Sequence, residues 1–374
     1  MQRLIAFVKK ENVFCIALLC AVVSAFFVPP SKAYFSYIDW NTLLILFALM
    51  GVIAAFRSCG LFDRLGNILC ARFHSVRSLS AILVALCFFT SMFITNDVAL
   101  LTFVPFTIAL LAPVTTGNVV MYTVILQTIA ANCGSMLTPL GNPQNLFLFQ
   151  QMGVDLKTFI LVPLPFTLIS ALVLTLALLL VPKQTVQVAS VLKSTESSKV
   201  KEIVYALLFI LCLLSVLRLL PKYVSALAVL CVLLIVNRKA LLHIDYMLLL
   251  TFCAFFIFTG NIGSEPNIKQ MLTSEVSGHE FIAAVASSQV ISNVPATLLL
   301  YPFAQNTRSL LAGVNVGGLG TLVASLASLI SYKLYAQATS DSRFPSGKAY
   351  LVLFTVCNLV MLSILCVYAL LFWK

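Results

Sequence analysis

The sequence predicts an all-α polytopic membrane protein built from two inverted repeats, each with a re-entrant helical hairpin and a broken transmembrane helix. Of the 374 residues, 61% are hydrophobic and 9% are charged, whereas about 25% of the residues of an average soluble domain are charged. The charged residues are bunched, and the apolar runs between them are long enough to cross a hydrocarbon layer of about 30 Å. Short motifs also recur in the same order in both halves. Together these observations predict about nine full spans and two hairpins.

The first predicted repeat covers residues 1–181. Residues 79–112 form two apolar arms that meet at a polar tip, Ile94-Thr95-Asn96-Asp97, and this pattern is typical of a re-entrant hairpin buried against protein. Residues 118–150 predict a broken helix. Residues 53–77 interleave arginines with apolar residues and predict an amphipathic helix at the membrane interface.

The second predicted repeat covers residues 202–374 and follows a cytoplasmic linker, 182–201, which is rich in Ser, Thr, Val and Lys. Its hairpin is predicted at 280–304, with a tip that contains Ser292-Asn293-Val294-Pro295. Its broken helix is predicted at 309–335.

The repeat itself is indicated by three sets of matching motifs. Ile38-Asp39-Trp40 matches Ile244-Asp245-Tyr246, and Thr95-Asn96 matches Ser292-Asn293. The third match pairs, in order, Asn132, Gly134, Thr138 and Asn142 with Asn315, Gly317, Thr321 and Ser325. An odd number of predicted crossings separates the copies, so the second copy is expected to be inverted. Inverted repeats with paired broken helices are typical of secondary transporters.

The distribution of basic residues predicts the orientation. Most of the 23 lysines and arginines fall in segments on the same side as the N-terminus, which makes that side cytoplasmic by the positive-inside rule. The apolar run 13–28 ends at a proline pair and is interpreted as a retained first helix, not a cleaved signal peptide. We therefore expect a multi-pass protein of the cell (inner or plasma) membrane with a cytoplasmic N-terminus.

The charge and cysteine patterns exclude other classes. The formal net charge is +11, but the basic residues lie in short loops without an aromatic-rich polar surface, so no nucleic-acid partner is expected. The 11 cysteines are scattered without a CxxC pair and are expected to be small buried hydrophobic residues. No Walker motif, nucleotide fingerprint or HExxH motif occurs, so no cofactor is expected and an ATP-driven mechanism would require another subunit.

The segment 132–145 carries two glycines, two prolines and three asparagines at predicted mid-membrane depth. Pro139 and Pro143 release upstream carbonyl groups, while Gly134 and Gly141 permit an unwound backbone. Free carbonyls and amides can bind cations, and half-helix N-termini can bind anions. The alternative is a proline-kinked structural helix whose asparagines join neighbouring helices; the matching segment at 315–328 favours function. The candidate binding residues here are Asn132, Gly134, Thr138, Gly141, Asn142, Asn145, Asn315, Gly317, Thr321 and Ser325.

Asp97 is the one acidic residue that the sequence places at a predicted membrane-depth position. Ionisable groups there are costly and usually mark an ion or proton path, so it is interpreted as a cation-site or proton-coupling carboxylate, with a buried structural cap as the alternative. At the hairpin tips, Thr95, Asn96, Ser292 and Asn293 are candidate binding residues and also good helix caps.

Asp39 and Asp245 begin helices and are interpreted as structural N-terminal caps.

These motifs, Thr95-Asn96-Asp97, Thr138-Pro-Leu-Gly-Asn-Pro-Gln-Asn145, Ser292-Asn-Val-Pro295 and Asn315-x-Gly-x-x-x-Thr321, resemble the ion-transporter superfamily. That group contains arsenite efflux permeases, sodium/proton antiporters and divalent-anion/sodium symporters with a citrate-transporter-like domain. The resemblance covers nearly the whole chain and implies the same two inverted repeats and a homodimer.

In the carboxylate symporters the hairpin tips read Ser-Asn-Thr, and this chain has Asp97 and Val294 where threonine is expected. The Asn-Asp and Asn-x-Pro pairs are more similar to the arsenite-permease branch. The resemblance implies sodium sites at two sets of residues. These are Asn96, Asp97 and Asn142 in the first half, and Asn293, Thr321 and Ser325 in the second.

The expected function is therefore secondary active transport of a small anion, an inorganic oxyanion or a carboxylate, by alternating access and coupled to sodium or protons. A sodium/proton antiporter without an organic substrate is the alternative. A membrane-embedded enzyme is disfavoured because Asp97 stands alone, and a scaffold subunit has no need for two matching helix breaks. The expected partners are the small anion, the lipid bilayer and a second copy of the chain.

Overall fold

The computed structural model describes residues 11–60, 75–185, 198–264, 266–338 and 344–372. In these ranges the regular secondary structure is helical. No strand occurs in them, and the β-type pairing there is one isolated bridge between Ser75 and Thr185. The prediction of an all-α protein is confirmed for this part of the chain.

The helices of the first half are α1 (Asn12–Phe27), α2 (Ala33–Tyr37), α3 (Trp40–Ser58), α4 (Val76–Thr90), α5 (Asn96–Leu111), α6 (Gly117–Ser135), α7 (Pro143–Met152), α8 (Leu156–Leu161) and α9 (Leu164–Leu178). Those of the second half are α10 (Lys199–Val216), α11 (Lys222–Val236), α12 (Arg238–Leu241), α13 (Tyr246–Ser264), α14 (Pro266–Val276), α15 (Glu280–Ile291), α16 (Asn293–Leu300), α17 (Thr307–Val316), α18 (Leu326–Ala338) and α19 (Gly347–Phe372).

Among the described residues, three helical stretches are long and apolar enough to cross a membrane: Trp40–Ser58, Arg238–Ser264 and Gly347–Phe372. The other apolar helices have 10–17 residues. Large apolar side chains stand exposed along the outer faces of several helices, for example Leu172 and Leu370. Such surfaces are expected to contact lipid rather than water.

Two helix starts are capped as the sequence predicts. The Asp39 carboxylate accepts hydrogen bonds from the backbone N–H groups of Asn41 and Thr42 at the start of α3. The Asp245 carboxylate accepts one from the N–H of Leu248 in the first turn of α13. These three bonds satisfy donors that the helices themselves leave free.

Each predicted hairpin region contains two consecutive helices that contact each other, α4 with α5 and α15 with α16. Helix α4 begins at Val76, three residues before the predicted start of the hairpin at residue 79, because Ser75 and Ser78 form a reciprocal capping box there. In the second half, α15 and α16 are separated by Ser292 alone, and a short 3-10 turn, Tyr301–Phe303, follows α16.

The contacts between helices are reciprocal between the two halves. Helix α4 packs on α6, and α15 packs on α17 in the same way. Helix α5 contacts α18 of the other half, while α16 contacts α7. Helix α3 packs on α11, and α13 packs on α1. The two halves therefore exchange equivalent contacts around a shared interior.

Two predicted segments fall largely outside the described residues. Residues 53–58 of the predicted amphipathic interfacial helix belong to α3, because that helix continues to Ser58; residues 61–74 lie outside the described part. Of the predicted linker 182–201, only its two ends are described.

Candidate functional site

The two interrupted helices lie against each other. Helix α6 ends at Ser135 and α7 begins at Pro143, and α17 ends at Val316 while α18 begins at Leu326. The Asn142 side-chain Nδ2 donates to Asn315 Oδ1 at 3.2 Å, and Asn315 Nδ2 donates to Asn145 Oδ1 at 2.7 Å. These amides link the first break directly to the helix that leads into the second.

The first break is shorter than the loop from Gly134 to Asn145 that the motif suggests. Gly134 lies in the last turn of α6 and Asn145 in the first turn of α7, so only residues 136–142 are non-helical. Gly134 serves close packing instead of unwinding, because a Cβ there would lie 2.0 Å from the Phe88 carbonyl oxygen of α4. A Cβ at Gly141 would lie 2.1 Å from the Ser135 carbonyl oxygen, so this glycine lets the loop fold back onto the end of α6.

The carbonyls released at this break are bonded within the protein. Asn145 Nδ2 lies 3.2, 2.8 and 3.1 Å from the carbonyl oxygens of Ser135, Met136 and Thr138. Pro143 occupies the first turn of α7, where a missing N–H costs nothing. Asn145 thus closes the end of α6, which is the structural role that the sequence left open for the asparagines.

Asn132 connects the tip of the first hairpin with the second break. Its Oδ1 accepts hydrogen bonds from Asn96 Nδ2 at 2.9 Å and from Ser325 Oγ at 3.1 Å, and its Nδ2 donates to Ser328 Oγ at 3.4 Å. The backbone N–H of Asn96 donates to the Gly141 carbonyl at 3.0 Å. Seven of the predicted site residues therefore meet in one buried cluster, which we call the amide cluster: Asn96, Asn132, Gly141, Asn142, Asn145, Asn315 and Ser325.

Each break is also attached to the hairpin of its own half. Thr138 Oγ1 donates to the Met92 carbonyl beside the first hairpin tip. In the second half Ser292 Oγ donates to the Ala324 carbonyl at 3.3 Å, and Thr321 Oγ1 donates to the Gln289 carbonyl at 3.1 Å. Ser292 holds a left-handed backbone with φ of 74°, which non-glycine residues adopt at some cost. The tip conformation is thus imposed by its surroundings.

Asn293 and Gly317 lie where the second hairpin packs on the second break. Asn293 is buried, and a Cβ at Gly318 would lie 2.7 Å from its Nδ2. A Cβ at Gly317 would lie 2.7 Å from Ser288 Oγ of α15. Gly317, like Gly134, permits a close contact between a broken helix and its hairpin.

Asp97 points away from the amide cluster. Its backbone N–H donates to Asn96 Oδ1 at 3.0 Å, while its side chain lines a cavity of about 460 Å³ that it shares with Thr95, Arg57, His243 and Asp245. The structure therefore separates the two predicted tip residues: Asn96 belongs to the amide cluster and Asp97 to the neighbouring cavity.

Comparison with known proteins now decides the family. The family model described as citrate transporter matches residues 4–330. The chain belongs to the citrate transporter family. The resemblance to the ion-transporter superfamily is thereby confirmed, and the family supports a transporter embedded in a membrane.

Curated relatives support this assignment. The inner membrane protein YbiR of Escherichia coli is 32% identical over 335 residues, which cover 87% of this chain and 88% of the relative. An uncharacterized transporter of Methanocaldococcus jannaschii is 32% identical over 354 residues, 91% of this chain and 92% of the relative. The silicon efflux transporter LSI3 of Oryza sativa is 33% identical over 152 residues, 40% of this chain and 30% of the relative.

Gln289 is a residue of the candidate site that the sequence motifs do not predict. Its Nε2 donates to the carbonyls of Gly317 and Leu319 at 2.8 and 2.9 Å, and its Oε1 accepts from the Thr321 N–H at 2.9 Å. One side chain thus holds most of the second break in place. A glutamine in an apolar hairpin arm is the signal that could have found it, since an amide shielded from water needs hydrogen-bond partners.

Replacing Gln289 with Glu should destabilise the second break, because a carboxylate accepts hydrogen bonds but cannot donate to the two carbonyls. We expect a loss of about 2–3 kcal/mol in unfolding free energy, from two lost bonds and an uncompensated, partly buried charge. Thermal unfolding of the purified protein measures it. The control Gln150→Glu loses a single bond to the Val216 carbonyl and should lower stability by less; equal effects would contradict the assigned role.

Gln144 is a second residue that the sequence analysis passed over, although it lies inside the first motif. It is 1% exposed, and in the part of the chain that the structure describes neither atom of its side-chain amide has a hydrogen-bond partner. An unpaired buried amide costs about 1–3 kcal/mol. This amide lies one residue from the N-terminus of α7 and keeps its full hydrogen-bonding capacity.

Proposed function

We propose that this transporter carries a small anion, an inorganic oxyanion or a carboxylate, by alternating access and in exchange or symport with sodium or protons. The observation that carries the proposal is the meeting of both helix breaks and the first hairpin tip in the amide cluster, with the second tip attached to the second break. A purely structural kink would not require two interrupted helices to face each other.

The proposal includes the predicted membrane arrangement. The reciprocal contacts of the two halves favour two inverted repeats. The two re-entrant hairpins and about nine full spans are kept in the proposal as the apolar runs of the sequence predict them. The bias of basic residues favours a cytoplasmic N-terminus in an inner or plasma membrane, and a homodimer completes the arrangement.

The chemistry available to an anion is that of helix N-termini. Helices α5, α7, α16 and α18 all begin at the breaks or hairpin tips, and the hydrogen bonds of Asn96, Asn142, Ser292 and Ser325 draw these starts together. Each start carries the partial positive charge of a helix N-terminus. At α5 and α7, the N–H groups of Asn96, Asp97 and Asn145 are already bonded within the protein, so the attraction there comes mainly from the helix dipole. Four such starts can hold an anion without a basic side chain.

Coupling would come from Asp97. A sodium ion or proton on this carboxylate removes a negative charge beside the proposed anion site, so binding of the cation favours binding of the anion, and the reverse. In the second half, Asn293, Thr321 and Ser325 remain the residues proposed to hold sodium. In the first half, the expected set of Asn96, Asp97 and Asn142 is divided, so the proposed cation site there is Asp97 at the cavity, apart from the two asparagines of the amide cluster.

A stabilisation screen tests the proposal, because a solute that binds the native state raises the melting temperature. Purified protein is mixed with citrate, other dicarboxylates, sulfate, phosphate, arsenite or silicic acid, each with sodium or choline at two pH values. At least one solute should stabilise the protein in a sodium- or pH-dependent manner. If none of these conditions changes the melting temperature, the proposal is wrong.

Gln144→Leu sharpens the screen. Removing an unpaired buried amide should raise the unfolding free energy of the solute-free protein by about 1–3 kcal/mol, and with it the melting temperature. It should also abolish the stabilisation by the solute. Gln150→Leu, which changes the other end of the same helix, is the matched control and should keep the solute effect. A solute response that survives Gln144→Leu would remove Gln144 from the site.

The alternative is a sodium/proton antiporter, favoured by the two carboxylates of Asp97 and Asp245 in one cavity. In proteoliposomes with an imposed pH gradient, an antiporter dissipates the gradient when sodium alone is added. The proposed anion transporter does so only when its anion is also present.

A further inference from the structure

The cavity beside the first hairpin tip carries charges of both signs. It lies between α3, the start of α5 and the start of α13, and most of its other lining is apolar. Arg57, His243 and Asp245 are exposed, whereas Asp97 is partly buried. The cavity thus connects an exposed charged rim to the carboxylate at the tip.

Asp245 differs from its counterpart in the other half. Asp39 uses both carboxylate oxygens: Oδ1 caps α3, and Oδ2 accepts from Thr42 Oγ1 at 2.5 Å and from Gln151 Nε2 at 2.8 Å. Asp245 caps α13 through Oδ1 alone, and among the described residues its Oδ2 has no hydrogen-bond partner. The cap needs only Oδ1, so the Oδ2 atom of Asp245 remains available at the cavity.

The charges in the cavity are not neutralised by pairing. Asp97 and Asp245 line the same cavity, so their negative charges oppose each other there. Arg57 donates through Nη2 to the Leu101 carbonyl, 3.4 Å away and one turn beyond Asp97 on α5. No ion pair joins Arg57 or His243 to either carboxylate within the described ranges. The two carboxylates therefore hold an excess negative charge that a mobile cation can balance.

We propose that this cavity is the access path of the coupling cation and that Asp245 attracts the cation toward Asp97, while Arg57 opposes it. The proposal rests on the coupling role of Asp97 proposed above. Asp245 is then a positioning residue as well as a cap: it raises the local cation concentration and does not itself need to bind the transported anion. Because Arg57 carries the opposite charge on the same cavity wall, its removal should act in the opposite direction.

The test is a cation titration of the purified full-length protein, in which the melting temperature is measured at each cation concentration. One arm varies sodium chloride at constant pH and replaces it with choline chloride to hold the ionic strength; the other varies pH in choline chloride. For Asp245→Asn we expect the half-saturating sodium or proton concentration to rise about five-fold, the effect of removing one unit charge from a partly solvated cavity. Asparagine still caps a helix, so α13 should remain intact.

Two further variants separate electrostatics from folding. Asp39→Asn, the same change at the matching cap outside the cavity, should leave the half-saturating concentration at the wild-type value. Arg57→Gln should lower it by a similar factor of about five. Both shifts should shrink as the ionic strength is raised, since salt screens charges in a solvated cavity. Opposite shifts at Asp245 and Arg57 are not expected from a merely structural role.

The outcomes distinguish this inference from the proposed function. If Asp97→Asn abolishes the cation response but Asp245→Asn behaves like Asp39→Asn, the inference is overturned and the coupling role of Asp97 stands. If Asp97→Asn responds to cations as the wild type does, or if the wild type responds to neither sodium nor pH, this inference and the proposed coupling role of Asp97 are both wrong. Shifts of the same sign in Asp245→Asn and Arg57→Gln also overturn the inference.

Discussion

Asp97→Asn is expected to abolish cation-coupled transport and to leave the protein folded. Asparagine has nearly the same shape and keeps the backbone N–H that donates to Asn96 Oδ1, so the amide cluster should survive. It cannot carry the negative charge that a sodium ion or proton neutralises, and it therefore removes the coupling free energy between cation and anion, typically 1–3 kcal/mol. Uptake driven by a sodium or proton gradient should fall to the background of empty liposomes.

The measurement is gradient-driven uptake in proteoliposomes of the solute found by the stabilisation screen. Asp155→Asn is a suitable control, because Asp155 is an exposed cap that accepts from the Thr158 N–H and lies outside the cavity; this variant should transport at the wild-type rate. The melting temperature of Asp97→Asn should stay within a few degrees of the wild-type value. Uptake that keeps its dependence on the gradient would exclude Asp97 as the coupling residue.

The helix breaks were the part of this site that the sequence predicted best. Proline, glycine and asparagine act on the chain locally, so the interruptions near Pro143 and Gly317 follow from residues that lie beside them. The caps at Asp39 and Asp245 are local in the same sense. The extent of the first break was less predictable, because Asn145 continues α7 while its side chain bonds carbonyls at the end of α6.

What the sequence could not predict depends on residues that are distant along the chain. Gln289 reaches the second break about thirty positions further on, and Arg57 meets Asp245 in one cavity only because α3 and α13 come together there. Arg57 belongs to a run of arginines that the positive-inside rule already explained, so nothing local marked it. The role of Gly134 was misjudged for the same reason: its partner, Phe88, is in another helix.

Gly134→Ala is expected to destabilise the protein strongly, because it forces two packed helices apart. The added Cβ would lie 2.0 Å from the Phe88 carbonyl oxygen, 2.6 Å from Ser91 Oγ and 2.8 Å from the Phe88 carbonyl carbon. Two of these atoms belong to the backbone of α4, so no side-chain rotation relieves the clash, and α4 and α6 must separate. Overpacking of this kind typically costs about 1–3 kcal/mol and sometimes more, and we expect the upper end.

The same displacement should disturb the site, because Asn132 lies two residues before Gly134 and holds both Asn96 and Ser325. We therefore expect Gly134→Ala to lower the melting temperature and to weaken solute stabilisation. Gly263→Ala is the matched control in α13: a Cβ there meets no atom within 4 Å, and alanine favours a helix by up to about 1 kcal/mol. Its melting temperature should equal or exceed that of the wild type. If both variants melt alike, α4 and α6 do not pack as closely as Gly134 indicates, and the link from the first hairpin to the amide cluster would have to be revised.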